Sequence, residues 1–317
     1  STGNDMNTSL GAIRRPMLRL ARIITGRLRA IGLALGTALL LAGCSTLQLG
    51  YNQAHTLLYW WIDGYADLGD MQSARLRQDI DGLLAWHRQQ ELPAYAQRLR
   101  QWRTLAAQDL TAEQVCREAD ALRTATSRLM ERGHEPLARL VLTLTPAQRD
   151  HLQRHQTKSN EGFEKDFLRG SASARLERRL ERTLDRYETL YGRLTDAQVA
   201  LVRQSLQASP FDPARTLAQR RERQAEMLAL IGQLQAGQPR PLAASEPVPR
   251  AAGQAVLGWL QRGLFPSPTG SDAPAWVRHG CEGFAQLHNS TSPQQRRHAQ
   301  DVLQGYEDDL RALTTQH

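Results

Sequence analysis

His151 and His155 stand four residues apart in a helical stretch and so share one face. Two histidines at that spacing can hold zinc, as in the His-Glu-x-x-His proteases. Here Leu152 occupies the glutamate position, so the general base is missing and a metalloprotease is excluded on this motif. A sensing or storage site would need further ligands, for which Glu161, Glu164 and His134 are the candidates. The same run holds Arg149, Asp150, Arg154 and Lys158, the pattern of a solvated polar face, and that plainer reading is preferred. Asp63, Asp67 and Asp70 lie at helical spacing and read as a polar helix edge. No phosphate-cradling glycine loop, nucleophile elbow or catalytic carboxylate pair is present. The residues therefore point to no enzyme and no cofactor.

The chemistry that is legible is post-translational. Arg14, Arg15, Arg19, Arg22, Arg27 and Arg29 precede an apolar run from Ala30 to Ala42, the order of a secretory signal. The run is shorter than the ~20 apolar residues of a membrane span. It ends in Leu41-Ala42-Gly43-Cys44, which resembles the bacterial lipobox. That resemblance implies diacylation of the Cys44 thiol, cleavage before it, and acylation of the new N-terminus. Position 45 is Ser rather than Asp, which by the sorting rule of Gram-negative lipoproteins implies the inner leaflet of the outer membrane, facing the periplasm. The expected partners are the membrane, through the lipid, and either unfolded polypeptides or an envelope protein.

Charge and cysteine usage fit that address. The chain carries 40 Lys+Arg against 32 Asp+Glu, a formal net charge of +8. Six arginines and Asp5 belong to residues 1–43, so the remainder is nearly balanced and gives no argument for nucleic acid. With Cys44 acylated, Cys116 and Cys281 remain as an even pair in a compartment where disulfides persist. A bridge between them is favoured over two separate buried thiols.

Apolar residues recur at three- and four-residue steps through most of the chain, and no run of alternating β-branched residues appears, so the expected fold is an all-α multi-helix bundle. The expected organisation is a leader over 1–43, a tether over 44–50, a helical domain over 51–236, a proline-rich loop over 237–253, and C-terminal helices over 254–317 that pack on the main domain. Tyr51, Tyr59, Trp60, Trp61 and Tyr65 crowd the first helix. They read as rings filling the interior in preference to a face for lipid headgroups. A helix from Thr111 is expected to stop at Gly133, with a short segment from Glu135 to Leu144 following. Arg175, Arg178, Arg179, Arg182 and Arg186 alternate with Glu177, Glu181, Asp185 and Glu188, as a solvated helix face would. Arg178 with Glu181 and Arg182 with Asp185 have the spacing of intrahelical pairs.

One helix start recurs. Leu110-Thr111-Ala112-Glu113-Gln114, Leu144-Thr145-Pro146-Ala147-Gln148 and Leu194-Thr195-Asp196-Ala197-Gln198 share Leu-Thr-x-x-Gln, and Ser292 with Gln295 makes a weaker fourth copy. Each predicts a capping box, in which the hydroxyl accepts from the third helical amide and the glutamine reaches back to the cap. Leu-Thr-x-x-Gln also resembles the hallmark of the Spy/CpxP family of periplasmic helical proteins. That likeness implies Spy-like binding of non-native polypeptides, for which the arginine-rich helices 175–186 and 215–223 are the candidate surface. Over its length the chain is similar to an uncharacterised family of proteobacterial lipoproteins, through the lipobox, Tyr59-Trp60-Trp61-Ile62-Asp63, Trp86-His87 and Glu91-Leu92-Pro93. The expected role is binding or structural, with a metal-responsive lipoprotein using His151 and His155, or a passive assembly factor, as alternatives.

Overall fold

The computed structural model describes residues 46–238, 242, 246–264 and 274–315. Cys44, the leader, and parts of the two proline-rich breaks lie outside the described residues. Everything regular among the described residues is helical: α1 (Thr46–Asn52), α2 (Ala54–Ala66), α3 (Asp70–Trp86), a π turn (His87–Glu91), α4 (Leu92–Leu105), α5 (Ala112–Thr143), α6 (Pro146–Phe167), α7 (Ala172–Tyr191), α8 (Asp196–Ala208), α9 (Pro213–Ala236), α10 (Arg250–Arg262), α11 (Ala275–Asn289) and α12 (Pro293–Thr315). The fold is all-α and built of many helices. The segment expected as a tether is helical from Thr46 onward.

From Tyr51 the helices form one unit. One core gathers Ala106, Leu180, Tyr191, Leu194, Val202, Leu287, Ala299 and Leu303, drawn from α4 and its C-terminal flank, α7, α8, α11 and α12. A second joins Ala66, Val141, Leu144, Leu152 and Ile231, and a third Tyr59, Leu76 and Ile80. Helix α12 lies along α4, and α10 and α11 lie along α5, so the C-terminal helices are part of the body. Helix α10 begins at Arg250, inside the stretch expected as loop.

Helix α5 does not stop at Gly133; it runs on through Pro136 to Thr143. Proline removes one N–H and crowds the preceding turn, a cost near ~3 kcal/mol in a helix interior. Burial on the far side offsets it: Ala138 is fully buried, and Val141 and Leu142 nearly so. Helix α10 crosses close by, where a Cβ on Gly253 would sit 3.4 Å from the His134 ring.

The capping boxes do more than start helices. Thr145 and Thr195 each accept from the third helical amide at 3.2 Å, and the cap amides donate to Gln148 and Gln198 Oε1 at 2.9 Å. The two glutamine side chains then reach across to a second helix start. Gln198 Nε2 donates to Gln295 Oε1 at 2.8 Å and Gln295 Nε2 donates back at 2.9 Å. Each amide also donates to the carbonyl of the turn opposite, Gln198 to Ser290 O and Gln295 to Arg193 O, both at 3.1 Å. The α7–α8 and α11–α12 corners are thereby docked reciprocally.

The same arrangement joins the α2–α3 and α5–α6 corners. Gln148 Nε2 donates to Gln72 Oε1 at 2.7 Å and to Asp67 O at 2.7 Å, and Gln72 Nε2 donates to Thr143 O at 3.0 Å. Gln72 belongs to a start that sequence reading missed, Leu68-Gly69-Asp70-Met71-Gln72, with glycine in the threonine position. Gly69 has no hydroxyl, so only the glutamine half of the box forms, at 2.9 Å. The Thr111 box stands apart from these pairs. There Asn289 accepts from Leu110 N at 2.8 Å and donates to Leu110 O at 2.9 Å.

A measurable difference follows. Gln114→Ala removes one cap bond and is expected to cost about 1 kcal/mol. Gln198→Ala also strips a buried amide pair and leaves acceptors dry, for about 2–3 kcal/mol. Urea denaturation of the two variants checks this; equal losses would refute a docking role for Gln198.

Candidate functional site

The apolar packing of α4, α5, α7, α11 and α12 is incomplete. Between them lies a cleft of about 400 Å³, walled by Leu99, Trp102 and Leu105, by Val115, Ala119 and Leu122, by Leu190 and Tyr191, by Phe284, and by Ala299, Leu303 and Tyr306. Leu122 and Tyr306 remain exposed on its wall. Its size and lining are those of a small-molecule pocket.

Most of the polar groups around this cleft have partners within the protein. Tyr191 O–H donates to His288 Nδ1 at 2.9 Å, and His288 Nε2–H donates to Gln108 O at 2.8 Å. A carbonyl can only accept, so the ring proton sits on Nε2 and Nδ1 is left to accept. Burial holds His288 below the usual histidine range, keeping the ring neutral, and pushes the Tyr191 phenol up. Glu118 Oε2 accepts from Trp102 Nε1 at 2.6 Å and from Arg98 at 2.7 Å. Gln114 is engaged by the Thr111 cap at 2.7 Å. Gln114 was legible as a capping residue, but Tyr191, His288 and Glu118 did not stand out in the sequence, because their partners come from other helices.

Two of the walls are covalently joined. Cys116 on α5 and Cys281 on α11 form a disulfide, Sγ to Sγ 2.05 Å, with Cα atoms 5.5 Å apart. Another wall is held by charge. Glu307 on α12 is 3 % exposed, with Oε1 3.1 Å from Arg100 Nε and 2.8 Å from Arg311 Nη2, and Oε2 3.6 Å from Arg103 Nη1. Burial alone would raise its carboxyl; hydrogen bonds and charge from Arg100 and Arg311 outweigh that and hold it below the usual range.

A second polar cluster sits at the π turn. Pro93 has no N–H for the carbonyl of Gln89, and the chain widens so that Leu92 N–H donates to His87 O. His87 Nδ1 meets the Tyr51 hydroxyl at 2.9 Å, and Glu91 accepts from Arg128 at 2.8 and 2.7 Å. Arg128 holds Glu91 low despite burial, while burial and Glu91 push Tyr95 up to about 12. The groups are packed among rings and one another, so the cluster works as a brace between α4 and α5.

The residues singled out from sequence are placed differently. His151 Nε2 lies 3.0 Å from Gly64 O, and the His155 ring lies 3.9 Å from the Tyr65 ring, so both histidines pack on α2. Glu164 pairs with Arg221 at 2.5 Å, and His134 Nδ1 lies 2.6 Å from Glu131 O. Among the described residues no group of three or more His, Cys, Asp or Glu is arranged to hold a metal ion. Arg178 and Arg182 do not use the intrahelical partners expected. Arg178 donates to Arg169 O at 2.6 Å, and Arg182 pairs with Asp166 at 3.6 Å and covers the Phe167 ring. Arg179 lies over Phe211 and Arg220 over Phe163. These arginines tie α6, α7 and α9 together.

A family model described as a family of unknown function (DUF6279) matches residues 64–244. The chain belongs to this family. No curated protein and no solved structure matches the chain. The DUF6279 segment contributes α4, α5 and α7 to the cleft, whereas α11 and α12, which close it, lie beyond the matched residues.

Proposed function

We propose that this chain is an envelope lipoprotein, acylated at Cys44 and held on the periplasmic side of the outer membrane, whose helical body binds an acyl chain. The reading is of a binding protein, not an enzyme. The anchor rests on the basic leader and Leu41-Ala42-Gly43-Cys44. The ligand class rests on one observation: the cleft is apolar, and Tyr191, His288, Trp102 and Glu118 on its border already have partners.

That observation separates two ligands. A bound polypeptide brings backbone N–H and C=O groups, which cost free energy when buried without partners. An acyl chain has no such groups, so an apolar wall is all it requires. Spy-like binding is further disfavoured by Arg179 and Arg182 of α7 and Arg220 and Arg221 of α9, which are drawn into contacts within the body.

The test is titration of the full chain with dansylundecanoic acid, followed by its fluorescence. Ala119 is half-buried on the cleft wall, and Ala119→Phe fills the space. The variant is expected to bind at least roughly ten-fold more weakly, about 1.4 kcal/mol, with an unchanged melting temperature. Equal binding by both chains, or none by the parent, would sink the acyl-chain reading. Slowed aggregation of an unfolded client without fatty-acid binding would restore the polypeptide one. Mass analysis of Cys44 tests the anchor separately.

A further inference from the structure

The outward side of α2 is apolar and bare. The exposed side chains of α2 are Leu57, Trp60 and Trp61, none of them charged, with the exposed Asp67 just past its C-terminal end. Trp60 and Trp61 are each 64 % exposed and Leu57 54 %. This corrects the expectation that the aromatic cluster fills the interior: Tyr59 is buried, but the two indoles are not. The opposite side of the helix is firmly seated. Tyr59 O–H donates to Ser73 Oγ at 2.9 Å under the Arg77 guanidinium, and Gly64 O and Tyr65 meet His151 and His155. Helix α2 therefore presents its indoles from a fixed backbone.

We infer that the Leu57, Trp60 and Trp61 face of α2 seats in the headgroup region of the membrane that carries the anchor. This rests on the reading of Cys44 as the acylated residue. Two further observations select lipid over another occupant. Indoles are enriched at membrane–water boundaries because the ring is apolar and its N–H finds polar partners there. Trp60 lies sixteen positions beyond Cys44. Even fully extended that stretch reaches about 55 Å, and every helical residue shortens it, at about 1.5 Å of rise each. The acyl chains expected on Cys44 hold the chain at the bilayer by themselves, so an aromatic stripe this close behind them is kept within reach of the headgroups and sets how the body sits there. No described helix is long and apolar enough to cross the bilayer, so the contact is peripheral.

The experiment reconstitutes the full chain, purified from membranes, into vesicles of brominated phosphatidylcholine and phosphatidylglycerol and reads tryptophan quenching. The parent chain is expected to be quenched, and Trp60→Ser/Trp61→Ser to lose that quenching by roughly two-fold or more. Both side chains are exposed, so the melting temperature should not move; a variant that melts early is replaced by Trp60→Gln/Trp61→Gln. Equal quenching in parent and variant, with Cys44 shown by mass to be acylated, overturns the inference and leaves the anchor standing. Tryptophan quenching that depends on Trp60 and Trp61 in a chain whose Cys44 proves unmodified removes the anchor, and with it the inference that this face sits on the membrane that carries it. Unquenched indoles together with self-association that the variant abolishes would assign the face to a second copy, and also overturn it.

Discussion

Replacing both Cys116 and Cys281 with alanine is expected to lower the unfolding free energy by about 4 kcal/mol, the largest effect of any change considered. The bridge closes a loop whose ends are 165 residues apart, and the chain-entropy gain grows with the logarithm of loop length. Both side chains are buried, so two small voids add to the loss. The effect should reach the cleft as well, because the bridge joins α5 to α11, two of the helices that wall it. Urea denaturation of the double variant, beside the parent with and without dithiothreitol, measures the first part. Fatty-acid titration measures the second. A loss below about 1 kcal/mol would mean that packing of α11 on α5 holds the walls without the bond.

Glu307→Gln is expected to cost about 3 kcal/mol at neutral pH, because three arginines would be left around a buried neutral amide. The pH dependence gives the signature. In the folded chain the Glu307 carboxyl titrates below its ordinary value of 4.5, so the folded state holds this proton less readily than the unfolded one. Its contribution is complete above that ordinary value and is lost as pH falls through the depressed folded value. The parent should therefore weaken on the acid side more steeply than the variant, and the two stability curves should converge as pH falls. Parallel curves from neutral to acid pH would show that Glu307 contributes by packing and not by charge.

How much of this was legible in the sequence differs by level. Helical periodicity and caps are local properties, and they led directly to an all-α chain with starts at Thr111, Thr145, Thr195 and Ser292. What those glutamines do next is not local. The partner of Gln148 is Gln72, and the partner of Gln198 is Gln295, each fixed only when two corners meet. Gly133 and Pro136 are breakers by propensity, yet burial of Ala138 and its neighbours carries α5 past them, a case of tertiary packing overriding local preference. The aromatic cluster misled in the opposite sense. Its helical spacing is what a core stripe would show, but Trp60 and Trp61 fall on the uncovered side. The cleft and its Tyr191–His288 relay had no signal at all, since no motif joins residues 97 positions apart.

The π turn at His87–Glu91 has a consequence for the helix that contains it. Helices α3 and α4 are one unbroken shaft from Asp70 to Leu105, interrupted only in its winding. A five-residue π turn takes up one residue more than an α turn, and one residue is about 100° of rotation. The turn therefore absorbs one residue of sequence without turning the shaft by that residue's share. The first half lends Leu76 and Ile80 to the core shared with α2, and the second lends Leu99 and Trp102 to the core that holds the cleft. At about 100° per residue with one residue absorbed, all four fall within roughly 60° of one another; in a regular helix Leu99 and Trp102 would be turned about 100° away. A local change of pitch is what lets a single rod serve as the common wall of two compartments.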